Sequence, residues 1–66
     1  MKIEFDTTAY QFSHGRAPRG EGYWGFEVAG IQYWATGTLG QAKRAVSREI
    51  REAFHGRKFV TVKVCP

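Results

Sequence analysis

Hydrophobic and polar positions alternate near both ends of this 66-residue chain. Lys2-Ile3-Glu4-Phe5-Asp6 places an apolar side chain at every second position, the period of a strand with one covered face. The alternation resumes at Tyr10 and Phe12 on the opposite parity. One residue has been added, which predicts a bulge or turn near Thr7 or Thr8 and leaves room for a further short strand. Glycine and proline punctuate His14 to Gly22, so an exposed loop is expected there. Tyr23 to Ala29 predicts a second strand, with Trp24, Phe26 and Val28 on one face and Tyr23, Gly25 and Glu27 on the other. Ala29-Gly30 makes a short reversal, and Ile31 to Thr36, rich in β-branched and aromatic residues, runs back as its hairpin partner. The register across that reversal stays open at this level, and with it whether Tyr33 or Trp34 faces the core.

At Thr38 the apolar period changes from two residues to about 3.6. Thr38-Leu39-Gly40-Gln41 fits a capping box, in which the threonine accepts from the backbone and the glutamine reaches back. Leu39, Ala42, Val46, Ile50 and Ala53 then form a helical stripe fit to lie on a sheet. His55-Gly56 ends the helix, with Gly56 placed to take the left-handed conformation. From Arg57 a last strand follows. Val60, Val62 and Val64 point one way, and Phe59, Thr61, Lys63 and Cys65 the other. The expected fold is α+β: a small, mainly antiparallel sheet in the order β-β-β-α-β, with one helix on one face and an extra short strand allowed at Tyr10 and Phe12. At 7.5 kDa a single domain over residues 1–66 is expected.

Composition narrows the function classes. No apolar run approaches the roughly 18 residues of a membrane span, and Met1-Lys2 opens directly on alternating sequence, so a cytoplasmic chain without a signal peptide is expected. Ten basic against six acidic residues give a net charge of +4, which favours an anionic partner, either nucleic acid or an acidic protein face. Cys65 is the one cysteine, so no intrachain disulfide forms. A reduced thiol is the ordinary expectation, and a bond to a second copy of the chain the sharper one, since Cys65 lies on the outer parity or at the end of its strand. His14, His55 and Cys65 lack the spacing of a zinc site, so neither metal nor cofactor is expected. Catalysis needs titratable groups held close together, whereas Glu27, Glu49, Glu52, His14 and His55 fall where surface residues fall. A binding protein is expected rather than an enzyme.

Two groups of side chains are candidates for binding. Arg44, Arg48 and Arg51 recur on one helix face with Lys43 beside them, Arg16 and Arg19 sit on the loop, and Arg57 and Lys58 follow the helix. Planar guanidinium groups suit phosphates or carboxylates bidentately, while the plainer reading is a solvated face with Glu49 and Glu52 interspersed. The second group is aromatic. Five Phe, three Tyr and two Trp exceed what one sheet face and a helix stripe can cover, which makes Tyr23, Tyr33, Trp34 and Phe59 candidates for the open face. There they would stack on bases, pack against protein, or pair with one another under long side chains.

Three strands and a helix carrying Trp24-Gly25-Phe26-Glu27-Val28, Trp34 and Thr38-Leu39-x-Gln41-Ala42 look like the three-stranded DNA-binding domains of plant AP2 factors and phage integrase arms. That resemblance covers roughly residues 22–50 and implies a small DNA- or RNA-binding module of phage or plasmid origin. Leu39-x-Gln41-Ala42-Lys43-Arg44, Ser47-x-Glu49 and Phe54-His55-Gly56, followed by a strand, are similar to the helix-to-strand segment of small phage-encoded anti-CRISPR proteins that act on type I systems. This second resemblance covers about the last third of the chain. It implies an inhibitor that binds a backbone or large subunit of the CRISPR surveillance complex (Cascade) in the bacterial host cytoplasm and sterically blocks target DNA. It carries contact roles to Gln41, Lys43 and Arg44. For inhibitors of the I-C subtype it also implies a disulfide-linked homodimer, with Cys65 as the link. The anti-CRISPR reading is the leading expectation, and the nucleic-acid module is its alternative.

Overall fold

The computed structural model describes the whole chain, Met1–Pro66. The order of elements is β1 (Lys2–Asp6), α1 (Thr8–His14), β2 (Glu21–Val28), β3 (Ile31–Thr38), α2 (Leu39–Ala53) and β4 (Phe59–Val64). The α+β class and the four strands match expectation, and a second helix replaces the optional short strand at Tyr10 and Phe12. The cause is local. The Asp6 carboxylate accepts the Thr8 backbone N–H at 2.9 Å, and Gln11 Nε2 donates to Thr7 Oγ1 at 2.6 Å, so the turn at Thr7–Thr8 opens a helix. Hydrogen bonds from the Thr8 side chain and backbone hold the Asp6 carboxyl below its ordinary value. In a strand Tyr10 and Phe12 would share a face, whereas two helical steps of about 100° turn them apart. Tyr10 is buried against Trp24, with ring centroids 5.7 Å apart, while Phe12 is 93% exposed.

The sheet order is β1-β4-β2-β3. β1 runs parallel to β4, and the β4–β2 and β2–β3 pairs are antiparallel, so the sheet is mixed but mainly antiparallel. Its inner face carries Trp24, Phe26 and Val28 of β2 and Val60, Val62 and Val64 of β4. Ala42, Val46 and Ile50 of α2 cover it, with Tyr10 of α1 at one end. Phe26 packs edge-on against Phe5 at 5.8 Å, and the Trp24 indole N–H donates to the Gly37 carbonyl at 3.1 Å, which leaves no buried side-chain polar atom unpaired. At the start of α2 the capping box is complete: Gln41 N donates to Thr38 Oγ1 at 3.2 Å and Thr38 N to Gln41 Oε1 at 3.0 Å.

The hairpin turn sets the register of the whole β2–β3 pair. Ala29 and Gly30 both have positive φ, 51° and 80°, the geometry of a two-residue primed turn whose twist matches the strands it joins. That turn pairs Val28 with Ile31, hence Phe26 with Tyr33 and Gly25 with Trp34. Tyr33 therefore lies on the helix-covered face, half-buried against the core, and Trp34 on the open one. Alanine at positive φ costs about 1–2 kcal/mol, whereas asparagine visits this region more readily. Ala29→Asn is expected to stabilise the protein by about 0.5–1 kcal/mol, raising its melting temperature by roughly 2–8 °C in a thermal circular-dichroism scan. A lower melting temperature would contradict the turn assignment.

Candidate functional site

Two surfaces collect the side chains that bear chemistry. The first is one flank of α2. Successive residues advance by about 100°, so Lys43, Ser47 and Arg51 fall on one line and Arg44 and Arg48 on the next. Ala45, Glu49 and Glu52 fall on the other flank, with Glu52 bordering Arg48 and Gln41 at the border between the two. The acidic residues are thus segregated from the cations, not interspersed among them. The small Ser47 between longer neighbours leaves a shallow concavity of about 470 Å³ lined by Lys43, Arg44, Ser47, Arg48 and Arg51, with no apolar side chain. Lys43 fixes one border, its Nζ lying 5.1 Å from the centre of the Phe5 ring of β1. Like charges three and four residues apart disfavour a helix by a few tenths of a kcal/mol per pair, so this cluster persists against local helix stability.

The second surface is a cleft of about 290 Å³ at the end of β4, where the strand stops at Cys65 and Pro66 beside the beginning of β2. Arg16 and Arg19 reach it from the loop, His14 from the end of α1, and Tyr23 and Trp34 from the open face of the sheet. The six-membered ring of Trp34 lies over Gly25, where a Cβ would stand 2.6 Å from Cζ3 of the indole. The Tyr23 ring stacks on Trp34 with centroids 5.0 Å apart and planes 12° from parallel. Both remain accessible: Tyr23 is 67% exposed and Trp34 47%. His14 is itself stacked on Tyr10 at 4.0 Å, which places its imidazole at the rim.

The remaining candidates lie apart from these surfaces. Arg57 and Lys58 follow α2 at the opposite end of β4, about 20 Å from the cleft by strand rise, and Arg57 stacks over Phe54 at 5.8 Å. Of the aromatic candidates, Tyr23, Trp34 and Phe59 lie on the open face, and Tyr33 is corrected to the covered face because its partner is Phe26. Gly25 and His14 belong to the cleft, although neither stood out in the sequence as a binding residue. Gly25 could have been found from the one bare position on the outer parity of β2, but only once Trp34 was known to oppose it.

Cys65 is half-buried at the mouth of the cleft, and its N–H donates to the Gly25 carbonyl at 2.8 Å. Burial pushes its thiol up from the ordinary value, the Glu27 carboxylate adds to this, and Lys63 acts in the opposite sense. A thiol held protonated is a poor nucleophile and slow to enter disulfide exchange. No group of three or more His, Cys, Asp or Glu side chains is placed to hold a metal ion, and no helix is long and apolar enough to cross a membrane. No protein-family model matches the chain, and comparisons with curated proteins and with solved structures find no match.

The contact between Trp34 and Gly25 has a direct test. Gly25→Ala is expected to lift the indole from the sheet, costing about 1–3 kcal/mol as an overpacked site does and shifting tryptophan emission to the red. Unchanged emission and stability would mean that the ring does not rest on Gly25.

Proposed function

We propose that this chain is a non-catalytic anti-CRISPR inhibitor: it binds a type I surveillance complex in the host cytoplasm and occludes the path of target DNA. The observation that carries this reading is the cationic flank of α2, a concavity of four positive charges with no apolar lining and no acidic residue among them. A surface of this kind meets phosphates or clustered carboxylates, through charge-assisted and bidentate hydrogen bonds. The resemblance of the same helix and the following strand to type I inhibitors makes the surveillance complex the partner. The contact roles inferred for Lys43 and Arg44 fall within this flank, while Gln41 closes the capping box at its border, three residues before Arg44. Steric occlusion requires only a stable small body presented in the correct orientation, so the reading asks for no active-site constellation. It extends to a homodimer linked through Cys65, in which two half-buried thiols would give up two protons and two electrons to an external oxidant such as a small-molecule disulfide.

Target-DNA binding by a purified type I complex, with and without the protein and beside a naked-DNA control, tests the proposal. Loss of target binding with naked DNA unshifted is the expected result. A shift of naked DNA alone would instead make the chain a nucleic-acid module of the kind the likeness to AP2 and integrase-arm domains implies. Arg44→Glu combined with Arg48→Glu should remove inhibition, because both side chains are exposed and the circular-dichroism spectrum should remain native. Inhibition that survives this double substitution would move the contact away from α2. Cys65→Ser should convert an oxidised dimer to a monomer in light scattering, and an oxidised wild type that is already monomeric would remove the dimer from the proposal.

A further inference from the structure

The cleft beside Cys65 is independent of the α2 flank, both in position and in chemistry. It combines a stacked aromatic pair, two loop guanidiniums and an accessible volume of about 290 Å³, near the lower end of small-ligand sites. We propose that this cleft binds single-stranded nucleic acid, one base extending the Tyr23–Trp34 stack while the adjoining phosphates meet Arg16 and Arg19.

Three features favour this occupant. The aromatic pair is held in place: Trp34 rests over a residue that has no side chain, and Tyr23 lies 12° from parallel with it, so an added base continues a stack already formed. Bases supply the planar π-faces that such a platform takes up without sequence preference. The charge is complementary, because the loop delivers Arg16 and Arg19 to the rim and the chain as a whole carries +4. Glu21 also lines the cleft and repels phosphate, which places the strand's backbone on the loop side and its base on the sheet side. Duplex DNA keeps its bases stacked within the helix, so the platform discriminates in favour of single strands.

The test uses the full chain and a labelled oligothymidine of about eight nucleotides, with the matching duplex as competitor, followed by fluorescence anisotropy and by intrinsic tryptophan emission. Binding should quench Trp34 and be outcompeted poorly by duplex. Trp34→Ala and Tyr23→Ala should each weaken it roughly fivefold to a hundredfold, the usual loss for removing one stacking partner. In the wild type the logarithm of affinity should fall with the logarithm of salt with a slope of about −1.4 for two phosphate contacts, and Arg16→Gln with Arg19→Gln should bring that slope close to zero. Tyr23 and the two arginines are exposed, so they decide the matter even if Trp34→Ala fails to fold. Absence of binding at low salt would overturn the proposal. So would full affinity in natively folded Trp34→Ala and Tyr23→Ala, or a preference for duplex that is lost only with Arg44→Glu and Arg48→Glu.

Discussion

The two-residue turn at Ala29–Gly30 is the constraint on which the rest of the molecule depends. Side chains on a strand alternate strictly, so a change of one residue in turn length would exchange the two faces of β3 as a block. With Val28 paired to Ile31, Tyr33 and Ala35 join the core, and Trp34 and Thr36 go to the open side. The turn achieves this by holding two consecutive residues at positive φ, one of them an alanine. A local backbone cost thereby fixes the placement of every aromatic side chain in the hairpin.

The same register creates the aromatic platform. Trp34 opposes Gly25, and without a Cβ at that position the indole can lie against the sheet. The neighbouring Tyr23 then has a flat partner to stack on. One face of the sheet is therefore sealed by α2 and α1, while the other keeps an accessible aromatic pair where β4 ends and β2 runs on with β3 as its one partner. That open edge of β2, paired with β3 on its other side only, is why a cleft exists there: β4 reaches Gly25 through the Cys65 N–H and goes no further.

Charge is distributed by a different rule. Helical periodicity sorts α2 into a core stripe, a cationic flank and a flank bearing Glu49 and Glu52, so the net positive balance becomes a directional surface. The loop arginines act at the other end of the structure from Arg57 and Lys58. Two surfaces bearing guanidinium groups result, one purely polar on α2 and one built on aromatic rings. Their chemistries differ, and so do the partners proposed for them.

Much of this was legible in the residues themselves. The capping box at Thr38 and Gln41, the stripe through Ala42, Val46 and Ile50, and the valines of β4 are local patterns, and local periodicity determines them because each side chain's direction follows from its own backbone. The segregation of cations on α2 was likewise implicit in their spacing. Residues 8–14 were not legible as a helix, because Tyr10 and Phe12 mimic strand alternation and the capping role of Asp6 shows only in its bond to Thr8. Nor was the cleft. His14, Arg16, Tyr23, Trp34 and Cys65 come from separate segments, and their proximity is a product of strand order and hairpin register. The parallel placement of β1 beside β4 is of the same kind, for it joins the two ends of the chain. What the sequence determined by itself was the direction of each side chain within its element. Which elements became neighbours was decided only when the shared core of Phe26, Val62 and Ile50 closed, because burial is non-directional and selects the arrangement that covers the most apolar surface.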